Sequence, residues 1–376
     1  MKKTILRAWT LAVAAVAAMG IFASTAMALP AGFWGVVPQS GMTDEQFQRL
    51  SRGGVESTRL PISWEHVQPA NGGSFDWSGV DDQVEAASKA GIKVLPFLTG
   101  APTWAVRWAT IPQSGGLKAP GHLPVTGVGR AGWISFLTAA VARYGPGGGF
   151  WSEHPGVPSM PLRNWQIWNE PNFKYFVAKP NPTEYGKLVK ISFSALKAAD
   201  PGAQVILAGL FSRPKGARDR KTGKHKSLNW FASDFLERMY KTSPGVKTKF
   251  NGAALHPYTI NARELPEVTE ELRNTLKDNG DAGKPLWITE ISWSSKPKTG
   301  SNLFGKGRAG QAKELRTAFT ALRNKQRPWK VKSVFWFSVD DVAGACNFCD
   351  GSGLFASGFK PKPSWFSYVK FAGGTP

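Results

Sequence analysis

Two apolar runs of this chain end in a glutamate. Trp165-Gln166-Ile167-Trp168-Asn169-Glu170-Pro171-Asn172 is the first, and Leu286-Trp287-Ile288-Thr289-Glu290-Ile291-Ser292-Trp293 repeats the design 120 positions further on. A buried strand that closes on an acid puts a carboxyl where water is scarce and its proton affinity is set by its neighbours. Two such acids suit the cleavage of a glycosidic bond, with Glu170 protonated to serve the leaving oxygen and Glu290 ionised to attack the anomeric carbon. A carboxyl separation of roughly 5 to 5.5 Å is then expected, because a mechanism that holds a water between the acids needs ~6.5 to 9.5 Å. The competing reading makes the two acids helix caps or partners of arginines.

Two acids so far apart in sequence meet only if the elements between them bring both strand ends to one face. Apolar runs of strand length alternate with amphipathic segments along the chain, the pattern of parallel strands joined by crossover helices. The strands expected are Phe33 to Val37, Val55 to Ile62, Lys93 to Leu98, Asn164 to Trp168, Gln204 to Ala208, Gly252 to His256, Pro285 to Thr289 and Val331 to Phe337. Helices are expected over Thr43 to Leu50, Asp76 to Ala90, Arg130 to Tyr144, Thr183 to Ala199, Leu228 to Tyr240, Leu265 to Asn279, Arg308 to Asn324 and Trp365 to Phe371. Thr43 followed by Gln46 reads as a capping box. This order predicts an α/β fold, a single-domain (β/α)8 TIM barrel spanning residues 29–376, with its site at the carboxyl ends of the strands.

On the Trp-Asn-Glu-Pro-Asn run and the strand-seven glutamate, the sequence resembles the clan A glycoside hydrolases, retaining enzymes on a β/α barrel. The resemblance implies that Glu170 is the acid/base and Glu290 the nucleophile, and that Asn169 reaches the sugar 2-hydroxyl. It further implies that Tyr258, beside His256 at the end of strand six, orients the nucleophile. Arg59 near the end of strand two matches the arginine kept beside that nucleophile, and Trp336 the tryptophan that floors the catalytic sugar subsite. Of the other tryptophans at predicted strand ends, Trp293 and Trp104 are the expected sugar platforms, while Trp34, Trp64 and Trp108 stay unassigned. Cellulase-like members of family 5 usually place a histidine at the end of strand three, where this chain reads Phe97-Leu-Thr-Gly-Ala-Pro-Thr-Trp104. The layout is at least as similar to family 39, which includes xylosidases and exopolysaccharide-cleaving enzymes. No metal or organic cofactor is implied.

Residues 1–28 read as a secretory signal, with Lys2, Lys3 and Arg7 preceding an apolar stretch from Leu11 to Phe22 and an Ala26-Met27-Ala28 cleavage site. The expectation is a secreted, extracellular or wall-associated protein with no membrane anchor after cleavage. The formal charge of +21 falls to +18 once those three basic residues are subtracted. Such a field favours anionic partners. Much of it lies on loops predicted to rim the active face: Arg213, Lys215, Arg218, Arg220, Lys221, Lys224 and Lys226 after strand five, and Lys296, Lys298, Lys306 and Arg308 after strand seven. Cys346 and Cys349 share a Gly/Asp-rich loop in which an exported protein can form a disulfide. The function expected is therefore retaining β-glycoside hydrolysis of a polysaccharide or oligosaccharide, anionic in one reading, by a monomer. A catalytically silent carbohydrate-binding or wall-adhering barrel and a transglycosylase are the alternatives, and nucleic-acid binding lacks any recognition motif.

Overall fold

The computed structural model describes residues 28–376 apart from 113, 216, 218–227, 345, 347 and 348. Eight parallel strands close into a barrel: β1 Trp34–Val37, β2 Ser57–Ser63, β3 Lys93–Thr99, β4 Asn164–Ile167, β5 Gln204–Phe211, β6 Gly252–His256, β7 Leu286–Ile291 and β8 Val331–Phe337. Each pairs with its neighbour in sequence, and β8 returns to β1 with Trp34 opposite Val334 and Val37 opposite Phe337. Among the described residues the eight longest α-helices surround them: α1 Asp44–Arg52, α2 Ser78–Lys89, α3 Gly127–Tyr144, α4 Pro182–Ala199, α5 Ala232–Thr242, α6 Leu265–Asp278, α7 Gly307–Asn324 and α8 Pro363–Ala372. The expected (β/α)8 barrel is thus the fold observed, formed as one domain.

Both faces of the strands are covered, which is why β6 and β7 are buried at every position. Alternate side chains fill two separate cores. Val37, Leu95, Ile206, Ala254, Trp287 and Phe335 pack inside the barrel, while Trp34, Phe47, Leu50, Trp133, Phe235, Leu272 and Phe319 belong to the layer between strands and helices. Space inside is tight enough that a Cβ on Gly252 would lie 2.0 Å from the Trp287 ring, so that position takes only glycine.

Local signals start the helices as the sequence implies. Thr43 Oγ1 accepts from Gln46 N at 3.4 Å and Gln46 Oε1 accepts from Thr43 N at 3.0 Å, the reciprocal capping box. Asn181 caps α4 through the Thr183 and Glu184 amides, with Pro182 at the first turn. On the next turn Tyr185 OH donates to Ile167 O and accepts from Ala208 N, bolting α4 to the end of β4 and the middle of β5.

The structure departs from expectation mainly in the loops. β4 stops at Ile167, because Trp168 and Glu170 take positive φ angles of 71° and 38°. α5 begins at Ala232 and not Leu228, since Phe231 is extended (φ −63°, ψ 147°). Short hairpins, Trp108–Thr110 with Lys118–Pro120 and Phe355–Ala356 with Lys360–Pro361, have runs too brief for a periodic signal. Cys346 and Cys349 are disulfide-bonded. The expected signal segment, save Ala28, and the basic run Arg218, Arg220, Lys221, Lys224 and Lys226 lie outside the described residues. Among the described residues no helix is long and apolar enough to cross a membrane.

Candidate active site

Glu170 and Glu290 meet at the carboxyl end of the barrel. Glu170 follows β4, Glu290 lies one residue before the end of β7, and their side chains are 5% and 11% exposed. One oxygen of each carboxyl and one nitrogen of His256 all fall within 4.8 Å of one another. The positive φ of Trp168 and Glu170 turns the chain sharply as it leaves the strand, a strained geometry of the kind that collects at functional sites. The turn is held by Glu170 N donating to Gly209 O at 3.2 Å. It is also held by Asn172, whose amide donates to Phe211 O and Trp230 O and accepts from Phe211 N.

The surroundings of the two acids differ. Glu290 Oε1 accepts from Arg59 Nη1 at 2.7 Å and Glu290 Oε2 from Tyr258 OH at 2.9 Å. Glu170 Oε1 instead faces His256 Nδ1 at 2.6 Å. Arg59 is fully buried on β2, its guanidinium carbon 3.8 Å from the centre of the Phe97 ring, and it also donates to Gln166 Oε1 at 2.6 Å and Asn169 Oδ1 at 2.7 Å. With its oxygen committed to Arg59, the Asn169 side chain keeps its NH2 for another partner.

These contacts set the protonation states. Burial, then the charge on Glu290, lifts the Glu170 carboxyl well above the ordinary glutamate value. Burial lifts Glu290 above the ordinary value as well, but less far, because the Arg59 cation and the hydrogen bonds donated by Tyr258 and Arg59 work against it. Burial, aided by Arg59, drops His256 well below its usual value, so the imidazole is neutral. Tyr258 is raised by burial and then by the two carboxyls, and remains a hydrogen-bond donor. A buried carboxylic acid beside a buried carboxylate can give a proton and make a covalent bond in one step. Glu170, His256 and Glu290 are the described cluster with metal-ligand spacing. The Arg59 cation, 2.7 Å from Glu290, already supplies the positive charge a metal would bring.

Arg59, Asn169, Glu170, His256, Tyr258 and Glu290 therefore converge as the sequence suggests, whereas the expected tryptophans do not. Trp336 is wholly buried. Strand parity decides this: Phe335 points into the barrel, so Trp336 points out, packing edge-on against Phe319 of α7 and donating to Ser352 O at 3.0 Å. The inward aromatic at the strand end is Phe337, which packs on the inner cluster and is partly exposed. Trp293 is also fully buried, its Nε1 donating to Thr259 O at 2.9 Å. Trp104 is half-buried in the helix layer, edge-on to Trp64, and donates to Gln68 O. Trp336 and Trp293 therefore present no exposed face to a sugar.

Part of the basic rim is already paired. Arg213 is committed to Glu267 at 2.8 Å and to Glu271 on α6, and Lys306 to Asn261 at 2.8 Å. Lys296 and Arg308 are exposed and line a cavity of about 310 Å³ with Asp341 and Asp350.

Three residues of the site carried a signal that motif reading passed over. Gln166 and Thr289 are polar residues in the middle of apolar strands, and both point inward to the acids' neighbours. Gly209 lies inside β5, where a Cβ would sit 1.9 Å from His256 Nε2 and 2.4 Å from Thr289 Oγ1.

A closed parallel barrel with two unlike buried glutamates at its carboxyl mouth defines a protein of the barrel glycosidase class. The family described as "Glycosyl hydrolase catalytic core" matches residues 164–364, more than half of the chain, from β4 to the start of α8. The chain belongs to that family. Among solved structures it is similar to a family 39 glycoside hydrolase from the gut symbiont Bacteroides cellulosilyticus, with TM-score 0.64 and 22% identity over 91% of this chain and 64% of that one. It is also similar to a monomeric beta-xylosidase from Caulobacter crescentus, with TM-score 0.59 and 20% identity over 91% and 68% of the two chains. A third likeness is to the GH53 catalytic domain of Ignisphaera aggregans, with TM-score 0.58 and 16% identity over 92% and 98%. The chain thus spans less than two thirds of the length of the first of these, and identities this low bear on the fold alone. No curated protein matches the sequence.

Proposed function

We propose that this protein is a secreted, monomeric retaining β-glycoside hydrolase that cleaves a polysaccharide by double displacement. Glu290 Oε attacks the anomeric carbon as the glycosidic bond breaks, and the leaving oxygen takes the proton of Glu170. Esterified Glu290 no longer carries charge, so Glu170 gives up its hold on a proton and acts as base toward the water that cleaves the ester. Asn169 offers its amide to the sugar 2-hydroxyl, and Phe337 takes the place expected of a tryptophan beneath the sugar. The observation that carries the reading is the close but unlike pair: oxygens within 4.8 Å, one acid on Arg59 and Tyr258 and the other on neutral His256. That spacing favours the retaining geometry over one with a water between the acids.

Secretion is supported by the signal-like residues 1–28 and by the Cys346–Cys349 disulfide, a bond that persists in oxidising compartments. The net charge supports an anionic glycan as substrate. The test is to follow aryl β-glycoside turnover by proton NMR and to trap the intermediate with a fluorosugar. Retention of configuration and a glycosyl adduct on the Glu290 peptide are expected. Release of the inverted sugar, or a trapped protein labelled elsewhere, would overturn the reading.

A further inference from the structure

The side chains behind the two acids form one continuous chain of contacts. Arg59 Nε is 2.6 Å from Gln166 Oε1, Gln166 Nε2 is 3.3 Å from Thr289 Oγ1, Thr289 Oγ1 is 3.0 Å from His256 Nε2, and His256 Nδ1 is 2.6 Å from Glu170 Oε1. All are buried, and none of Gln166, Thr289 and His256 is exposed at all. Each link has a direction that donor chemistry fixes. Arg59 can only donate, so it holds the Gln166 oxygen toward itself. The Gln166 NH2 then faces Leu207 O and Thr289 Oγ1, to which it must donate. Thr289 has a single hydroxyl proton, and the remaining acceptor beside it is His256 Nε2. A neutral imidazole that accepts at Nε2 carries its proton at Nδ1 and donates there, to Glu170 Oε1.

We propose that Gln166 and Thr289 are positioning residues that lock His256 as the Nδ1–H tautomer and so reserve Glu170 Oε1 as an acceptor. The acid's proton is thereby confined to Oε2, the oxygen left for the glycosidic oxygen. In the opposite tautomer His256 Nδ1 would accept, and Glu170 would spend its proton on the imidazole and withhold it from the leaving group. The arrangement also ties both acids to one cation, because Arg59 begins the chain and directly binds Glu290. This inference rests on Glu170 being the acid/base of the proposed reaction. Gly209 makes the chain possible, since any side chain there would occupy the space of His256 Nε2 and Thr289 Oγ1.

The tautomer is tested without any substrate. Nitrogen-15 shifts of the His256 ring in labelled protein, assigned by comparison with His256→Asn, should show the proton on Nδ1 in the wild type. They should show loss of that preference in Thr289→Val and its return in Thr289→Ser. A wild-type ring protonated at Nε2 overturns the proposal. A kinetic arm uses aryl β-glycosides of falling leaving-group acidity, from dinitrophenyl to phenyl. Thr289→Val should lose roughly tenfold more rate on phenyl than on dinitrophenyl substrates, because only the former needs a full proton. Equal losses on both would mark a merely structural role and overturn the proposal. Glu170→Ala run in parallel separates the two failures: if it too shows no leaving-group dependence, the acid/base assignment itself falls.

Discussion

Arg59 and Glu290 come from β2 and β7, three strands apart around the barrel, yet their charged atoms are 2.7 Å apart with the arginine wholly buried. A cation there cannot leave without stranding the carboxylate. Removing one member of a buried ion pair typically costs about 3 to 5 kcal/mol. Arg59→Met should therefore lower stability by roughly that much and raise the proton affinity of Glu290, abolishing turnover at neutral pH. Urea unfolding and aryl glycoside assays on the same sample measure both. A variant as stable and as active as the wild type would remove Arg59 from the site.

The pH dependence follows from the two acids. Glu170 works protonated and is raised well above the ordinary value, so activity should fall on the alkaline side as it ionises. Activity should fall on the acid side as Glu290 takes up a proton. Tyr258→Phe removes a donor that favours ionised Glu290, so the acid limb should move to higher pH. A profile of kcat/KM against pH reads the shift, and a move to lower pH would contradict it.

Stability carries the same signature with opposite benefit. A carboxyl whose folded-state pKa is raised above the unfolded value of 4.5 stabilises the fold fully below that value, and this contribution is lost as pH rises through the folded pKa. Glu170→Gln keeps the shape and cannot ionise. It should melt higher than the wild type near neutral pH, by roughly 2 °C or more, with no such gain at pH 4, while the hydrolysis of unactivated glycosides collapses. Calorimetry at the two pH values decides it.

The barrel was legible in the sequence because burial on both faces leaves unbroken apolar runs, and each expected strand overlaps an observed one. Glu170 and Glu290 were legible because an acid closing such a run has few other uses. The tryptophans were not, since a strand-end aromatic can point in or out and one residue of register decides which. Phe335, Trp336 and Phe337 are all aromatic, so composition gives no hint of parity, whereas the inner packing of Phe335 settles it. Nor could a loop arginine's partner be read from spacing: Arg213 finds Glu267 and Glu271 only because the chain leaving β5 reaches the first two turns of α6.

That parity predicts opposite outcomes for adjacent substitutions. Trp336→Ala removes a fully buried ring and should cost roughly 3 to 5 kcal/mol of stability. Phe337→Ala should cost less stability but weaken sugar binding by about 1 kcal/mol, near fivefold in KM, if its ring floors the subsite. Thermal melts and KM for one aryl glycoside separate the two, and reversed outcomes would restore Trp336 as the floor.

The charge of the chain can be weighed against the substrate in the same way. Arg213 and Lys306 spend their charge on neighbours, while Lys215, Lys296, Lys298 and Arg308 are exposed among the described rim cations, Lys296 and Arg308 of them at the cavity beside the start of α7. Exposed charges act over about 10 Å at 0.1 M salt and over far less at 1 M. Hydrolysis of an acidic polysaccharide should then slow by roughly threefold or more as salt rises across that range, with a neutral polymer little affected. Replacing both residues, Lys296→Ala with Arg308→Ala, should flatten the salt dependence and leave the neutral rate in place, because neither side chain touches Glu170 or Glu290. Equal rates on the two polymers at every salt concentration would instead assign the basic surface to solubility or wall attachment and detach it from substrate choice.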